Sequence, residues 1–185
     1  MRPIGSKTSL ISFDTILSKA ELSAGHVLAD LGCGNTVFFL DLLARLVGKN
    51  GKVFGIDIQP EIIDTVQREL KHHSIEGVTP LLGNLDQVNG TTLENGSLDR
   101  AFLINTIHQS ADIISMLQEA KRLLKDTGLL IIVDWELKPN PVGPHLDRRV
   151  SKEAIEEAAQ ICKFEIKKSF KPGSYHYGLI LANNK

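Results

Sequence analysis

The chain reads as an α/β protein, a doubly wound, mostly parallel seven-stranded sheet closed by a C-terminal antiparallel hairpin. Three observations predict it. Short apolar runs alternate with stretches of helical period from Val27 to Ile161. The first run, V-L-A-D-L at Val27 to Leu31, passes directly into Gly32-Cys33-Gly34 and then into a helical pattern, which is a buried strand, a tight turn and the mouth of a helix. The last two runs, Phe164 to Phe170 and Tyr175 to Leu181, are separated only by Lys171-Pro172-Gly173-Ser174, too short for a crossover helix, so they run antiparallel.

The elements follow in order. Leu10, Phe13, Ile16 and Leu17 recur at helical spacing within Ser9 to Leu22, predicting an amphipathic helix laid on the domain, with a lid over a ligand as the alternative. Strand one is followed by a helix over Val37 to Val47, capped by Asn35 or Thr36 and closed by Gly48. Lys52 to Ile58 is strand two. Gln59-Pro60-Glu61 opens the next helix, with Pro60 at its first position and Glu61 at the positive end of the dipole, and it runs to about His73. His72 and His73 belong to its basic C-terminal surface. Val78 to Leu82 is strand three and ends in Gly83-Asn84-Leu85-Asp86; Asn89 to Ser97 is loop; Leu98 to Asn105 is strand four. A helix from near Ala111 to Leu124 is stopped by Thr127-Gly128, and Leu129 to Trp135 is a strand covered on both faces. After the proline-bearing loop Pro139 to Pro144, Ser151 caps a helix through Ile161.

With 185 residues, 42% of them hydrophobic, the chain suits one domain over 1–185, with 8–22 as an N-terminal helix and 23–185 as the α/β core. A net charge of −1 gives no bulk electrostatic reason to hold nucleic acid or a membrane surface. No apolar run approaches the roughly 20 residues of a membrane span, and the N-terminus is not signal-like. Cys33 and Cys162 have neither metal-ligand nor redox spacing. A reduced, cytoplasmic, soluble protein without a bound metal is expected, and its oligomeric state is left open.

The chemistry points to the first turn. Glycines serve a bend that approaches a ligand closely, where a Cβ would intrude, and the free N–H groups of the next helix offer an anion site. Asp57, ending strand two about 20 residues beyond, lies where a nucleotide-binding α/β unit keeps a ribose-gripping carboxylate. Asn84, Asn105, Thr106 and His108 reach the same carboxyl edge of the sheet, where open parallel sheets hold their ligands.

With these residues the chain resembles the class I S-adenosylmethionine-dependent methyltransferases, small-methyltransferase type. Asp30 to Gly34, D-L-G-C-G, is similar to that family's first motif, and Gly55 to Ile58, G-I-D-I, resembles its second. The order of elements, closing hairpin included, is a more specific match than either motif, and implies the Rossmann-like methyltransferase fold. By this resemblance, Asp30 and the Gly32-Cys33-Gly34 turn hold the methionine end of S-adenosyl-L-methionine, and Asp57 takes both ribose hydroxyls. Ile58 packs on the adenine face, Asn84 and Leu85 meet the adenine edge, and the backbone of Asn105 helps hold the methionine amino group. Asn105 to His108, N-T-I-H, is similar to a family stretch that often ends in histidine, and His108 is the candidate base for an acceptor that must lose a proton. Trp135, His145, Tyr175 and His176 are candidates for an acceptor pocket. The chain departs from the family in having Thr36 where a third glycine is usual, and Asn84 where Asp is common.

Methyl transfer from a sulfonium mainly requires alignment of the nucleophile and exclusion of water. A small-molecule acceptor is expected: Asn105 to His108 is no Asn-Pro-Pro-Tyr segment, and no basic stripe with interleaved aromatics suggests nucleic acid. A nicotinamide enzyme would want glycine where Val37 stands, and a P-loop NTPase would need a Lys-Ser/Thr pair after the turn. A non-catalytic cofactor-binding module, acting as a sensor or partner subunit, is the alternative from another class.

Overall fold

The computed structural model describes residues 10–183. The chain first forms α1 (Phe13–Leu17), β1 (Val27–Leu31), α2 (Phe38–Val47), β2 (Lys52–Asp57), α3 (Pro60–His72) and β3 (Val78–Leu82). It continues through β4 (Leu98–Ile104), α4 (Ile113–Leu123), β5 (Leu124–Trp135), α5 (Lys152–Ile161), β6 (Glu165–Gly173) and β7 (His176–Ala182), with short 3₁₀ turns at Ile107–Gln109 and Leu146–Arg148. Among the described residues the strands make one seven-stranded sheet in the order β3-β2-β1-β4-β5-β7-β6. The first five are parallel, and β7 inserts antiparallel between β5 and β6. The predicted class and closing hairpin hold.

Each central strand is apolar on both sides because both faces are covered. Leu28, Phe102, Ile131 and Val133 face α1, α2 and α3, while Ala29, Leu103, Leu130 and Ile132 face α4 and α5. Phe102 is fully buried and meets the Phe39 ring edge-on, with centroids 5.2 Å apart. Truncating such a residue costs about 3–5 kcal/mol.

The order reverses at β1, with β2 on one side and β4 on the other, so the loops after β1 and β4 part there and leave a crevice. One tether holds the loop after β3, and a second ties the opposite edge of the sheet. The fully buried Glu119 of α4 accepts from the Asn89 and Thr91 amides, the Thr91 hydroxyl and Arg122. Burial alone would raise its carboxyl pKa, but these donors hold it below its usual value. At the other end, the Asn183 side-chain amide donates to the Leu124 and Lys125 carbonyls at 3.0 Å each, where α4 passes into β5.

Several boundaries differ from the sequence reading. Helix α1 covers Phe13–Leu17, capped by Ser12, rather than the predicted 8–22, of which residues 8 and 9 lie outside the described part. The Arg100 side chain from β4 claims the Ala20 and Glu21 carbonyls, and Glu21 takes a φ of 50°, so the chain turns instead of continuing as helix. Neither Asn35 nor Thr36 is the N-cap of α2: Val37 holds that position with no side-chain cap, and Thr36 Oγ1 accepts from the Phe38 N–H at 3.3 Å. Helix α4 stops at Leu123, ahead of Thr127-Gly128, because Leu124 already pairs with Leu98. The Pro60 start of α3 and the Ser151 cap of α5 stand as predicted.

Candidate functional site

The turn after β1 takes the shape its glycines allow. Gly32 has a φ of 86° and Gly34 a φ of 61°, both in the left-handed region. The Gly32 and Cys33 amides donate to the Ile56 carbonyl of β2, closing the turn against its neighbour. A Cβ at Gly32 would lie 2.4 Å from Thr106 Cγ2, whereas one at Gly34 would meet nothing within 4 Å. Gly34 thus leaves open space above the turn, the kind of cradle that a ligand approaching the backbone needs.

Asp57 joins this turn to the start of α3. Its Oδ2 accepts from the Gly34 N–H and its Oδ1 from the Gln59 N–H, each at 3.1 Å. Asp30, behind the turn, is buried, and among the described residues no hydrogen bond satisfies its carboxyl. Burial first, and the Asp57 charge second, push Asp30 up to about 7.

Gly32, Gly34, Asp57, Ile58, Asn84 and Leu85 all line one cavity, so six predicted residues from three separate loops converge. Ile58 is exposed, free to offer an apolar face to a flat ligand. Thr106, which the sequence places at this edge, lines it as well, and residues that sequence reasoning missed complete the wall: Gln59 and Ile62 at the start of α3, Gly83 and Asp86 after β3, Gln109 and Ser110 after β4, and Met116 from α4. Asp86 accepts from the Ser110 hydroxyl and, at 2.9 Å, from the Ala111 N–H, tying two rims together. Its place in G-N-L-D, beside Asn84, was the available signal. The lining carries two carboxylates and no Lys or Arg.

Four predicted residues do not line the cavity, Asp30 being the first. Cys33 gives the turn its backbone alone: its side chain is buried against Leu40 and Gly55, and its thiol pKa is raised by burial and by the Asp30 and Asp57 charges. Asn105 sits at a φ of 57° at the end of β4; its carbonyl accepts from the Gln109 side chain at 2.9 Å, and its buried Oδ1 has no partner. His108 lies in the 3₁₀ turn between lining residues Thr106 and Gln109, but its ring faces β5, where Nδ1 is 3.0 Å from Asp134 Oδ1. Asn84 is tied more tightly than expected, since its Oδ1 accepts from the Asp86 N–H at 3.0 Å.

The suggested acceptor residues separate. Trp135 and His176 are buried together, with ring centroids 4.1 Å apart; His145 is exposed and pairs with Asp147; Tyr175 is half-buried in the hairpin turn. None of the four lines the cavity. Glu69, His72 and His73 bring ligand-type atoms within 4.8 Å of one another at the end of α3, where both histidines are exposed. No helix among the described residues is long and apolar enough to cross a membrane.

The model of a family described as a methyltransferase domain matches residues 22–175. The chain is 27% identical over 118 residues to a demethylmenaquinone methyltransferase from Lactococcus lactis, covering 64% of this chain and 45% of that protein. It is 33% identical over 97 residues to an arsenite methyltransferase from Aquipseudomonas alcaligenes, covering 50% and 28%. The chain therefore spans less than half the length of either relative. The crystal structure of a SAM-dependent methyltransferase from Aquifex aeolicus superposes with a TM-score of 0.86 at 24% identity, over 93% of this chain and 89% of that one, and has the same fold.

Proposed function

This chain belongs to the methyltransferase domain family and has the class I methyltransferase fold; from that premise we propose that it moves the methyl group of S-adenosyl-L-methionine to a nucleophile on a small molecule. The observation that carries the reading is the charge of the cavity. A glycine turn meets two carboxylates with no cation in the lining, a surface suited to a sulfonium ligand and poorly suited to the pyrophosphate of a nicotinamide dinucleotide. The open space above Gly34 fits such a ligand on independent grounds.

In this reading, Asp30, from behind the turn, and the Gly32-Cys33-Gly34 backbone hold the amino-acid end. Asp57 exchanges backbone amides for ribose hydroxyls in charge-assisted hydrogen bonds. Ile58 covers the adenine face, Asn84 and Leu85 its edge, and Asn105 the methionine amine. When bound, the sulfonium supplies the methyl group and its own leaving group; the chain aligns the acceptor and keeps water out. His108, in the turn after β4, serves the acceptor end. The names of the relatives support a small-molecule acceptor. One methyltransferase domain over 1–185 and a cytoplasmic setting complete the reading, the latter supported by two free, buried cysteines.

Calorimetric titration with S-adenosylmethionine, S-adenosylhomocysteine and NAD tests it. Saturable binding of the first two and none of NAD is expected. Binding of NAD alone overturns the assignment, and tight binding of the sulfonium without turnover of any acceptor favours a sensor.

A further inference from the structure

We propose that Asp134 is a positioning residue that holds His108 with Nδ1 protonated and Nε2 bare, so that Nε2 takes the proton from an acceptor of phenol or hydroquinone type during methyl transfer. This rests on the methyl-transfer reading above and adds to it a substrate class and a second residue.

Asp134 lies near the end of β5, with its side chain fully buried. It accepts hydrogen bonds at both oxygens: Oδ1 from the Trp135 N–H at 2.8 Å, Oδ2 from the His108 N–H at 3.3 Å. With backbone donors on both oxygens, the carboxylate faces the imidazole as an acceptor, which makes Nδ1, 3.0 Å from Oδ1, the donor. The other ring nitrogen then carries a lone pair. Nε2 makes no hydrogen bond within the described residues, and the side chain keeps 10% of its surface open. The residue is doubly anchored, by ring and by backbone, in a turn whose flanking residues line the cavity.

The neighbours leave this pair undisturbed. His176, which also senses the Asp134 charge, is pushed below its ordinary pKa by burial, with Asp134 opposing and the Arg149 charge adding to the drop. Tyr177 donates its hydroxyl to the Val150 carbonyl at 3.1 Å, and its pKa is raised by burial and by the charges of Asp134 and Glu153.

A histidine with one ring nitrogen held by a carboxylate and the other bare can take up a proton from an acceptor. A neutral hydroxyl is a weak nucleophile until its proton leaves, so a phenol-type acceptor needs the pair. As the oxygen–carbon bond forms, the sulfur–carbon bond breaks and its electron pair stays on sulfur. The hydroxyl proton passes to Nε2, Asp134 stabilises the imidazolium, and the proton then leaves to solvent. No further reactant is consumed.

The test begins on wild-type protein, where no variant has to fold. Long-range ¹H–¹⁵N correlation at pH 8 should find His108 as the Nδ1–H tautomer. With S-adenosylmethionine and 1,4-dihydroxynaphthalene, D134N and H108A should lose roughly 100-fold in kcat while KM for S-adenosylmethionine holds, and D134N should move the tautomer to Nε2–H. An Nε2–H tautomer in the wild type overturns the proposal. So does an unchanged kcat in folded D134N, or failure to methylate the dihydroxynaphthalene by protein that binds S-adenosylmethionine, whether or not thiophenol is methylated in its place. Absence of S-adenosylmethionine binding, read by calorimetry, instead sinks the methyl-transfer reading.

Discussion

Thr106 stands where a side chain at Gly32 would have to go. Its Cγ2 lies 2.4 Å and its Oγ1 2.7 Å from the position of an added Cβ, and that same Oγ1 donates to the Leu31 carbonyl at 3.1 Å. The end of β4 thus presses directly on the glycine turn after β1. Gly32→Ala therefore meets a clash and, at a φ of 86°, a backbone conformation that L residues rarely adopt. A loss of about 2–4 kcal/mol in urea unfolding is expected, together with loss of cofactor binding. Adding Thr106→Gly should restore part of the stability, since it relieves the clash but not the strain. No recovery in the double variant would show that backbone strain, rather than Thr106, excludes the side chain.

Asp57→Ala removes the acceptor of both the Gly34 and Gln59 amides. These backbone donors sit at the mouth of the cavity, where water can replace the lost partner, so the stability cost should be about 1 kcal/mol. Affinity for S-adenosylmethionine should fall by roughly 10- to 100-fold with the charge-assisted grip gone. Calorimetry on the folded variant checks this, and unchanged affinity would mean the ribose is held elsewhere.

Asp30 makes stability depend on pH in the opposite sense to an ordinary ion-paired carboxylate. Its pKa is raised from 3.8 to about 7, by burial first and by Asp57 second, so between those values the native state binds more protons than the unfolded chain. Unfolding free energy from this group therefore falls as pH rises from about 4 to 7 and is level above that window. Asp30→Asn should remove the slope and leave the protein more stable than wild type at pH 8 by an amount on the order of a few kcal/mol. Urea midpoints at pH 5, 6, 7 and 8 read it directly. A wild-type curve that is flat, or one that rises with pH in this window, would refute the protonated carboxyl.

What the sequence made legible follows from how local each feature is. Gly32, Gly34 and Asp57 could be read because one βαβ unit puts them at fixed separation, and they do meet on one cavity. The Asp134–His108 contact could not be read by spacing, since it depends on β5 lying beside β4; the available signal was a carboxylate inside the apolar run Leu129 to Trp135. The shortening of α1 was hidden for the same reason. Its apolar spacing continues past Leu17, but Arg100, some 80 positions away in sequence, holds the Ala20 and Glu21 carbonyls in a turn where Glu21 takes a φ of 50°. The direction of the Cys33 side chain was hidden too: a residue between two cavity glycines shares their backbone path while its side chain turns to the core.

Arg149 had no sequence signal, yet it organises the whole loop after β5. Its buried guanidinium donates to the Glu136, Lys138 and Pro144 carbonyls at 2.7 to 3.0 Å and to Asn140 Oδ1 at 3.3 Å, and lies 5.2 Å from the centre of the Trp135 ring. A planar fork reaches several carbonyls at once; a lysine ammonium, with three donors at one point, cannot. Arg149→Lys should therefore loosen 136–145 while leaving the cofactor cavity intact, because none of these residues lines it. Amide exchange across this loop should quicken at least about tenfold, corresponding to roughly 1.4 kcal/mol of local opening free energy, with S-adenosylmethionine affinity unchanged. Because the loop follows the strand that carries Asp134, acceptor KM should rise as the loop loosens. If exchange stays slow in Arg149→Lys, the loop is held by its own turns and by the Gly143 contact with Trp135, and Arg149 only fills space between them.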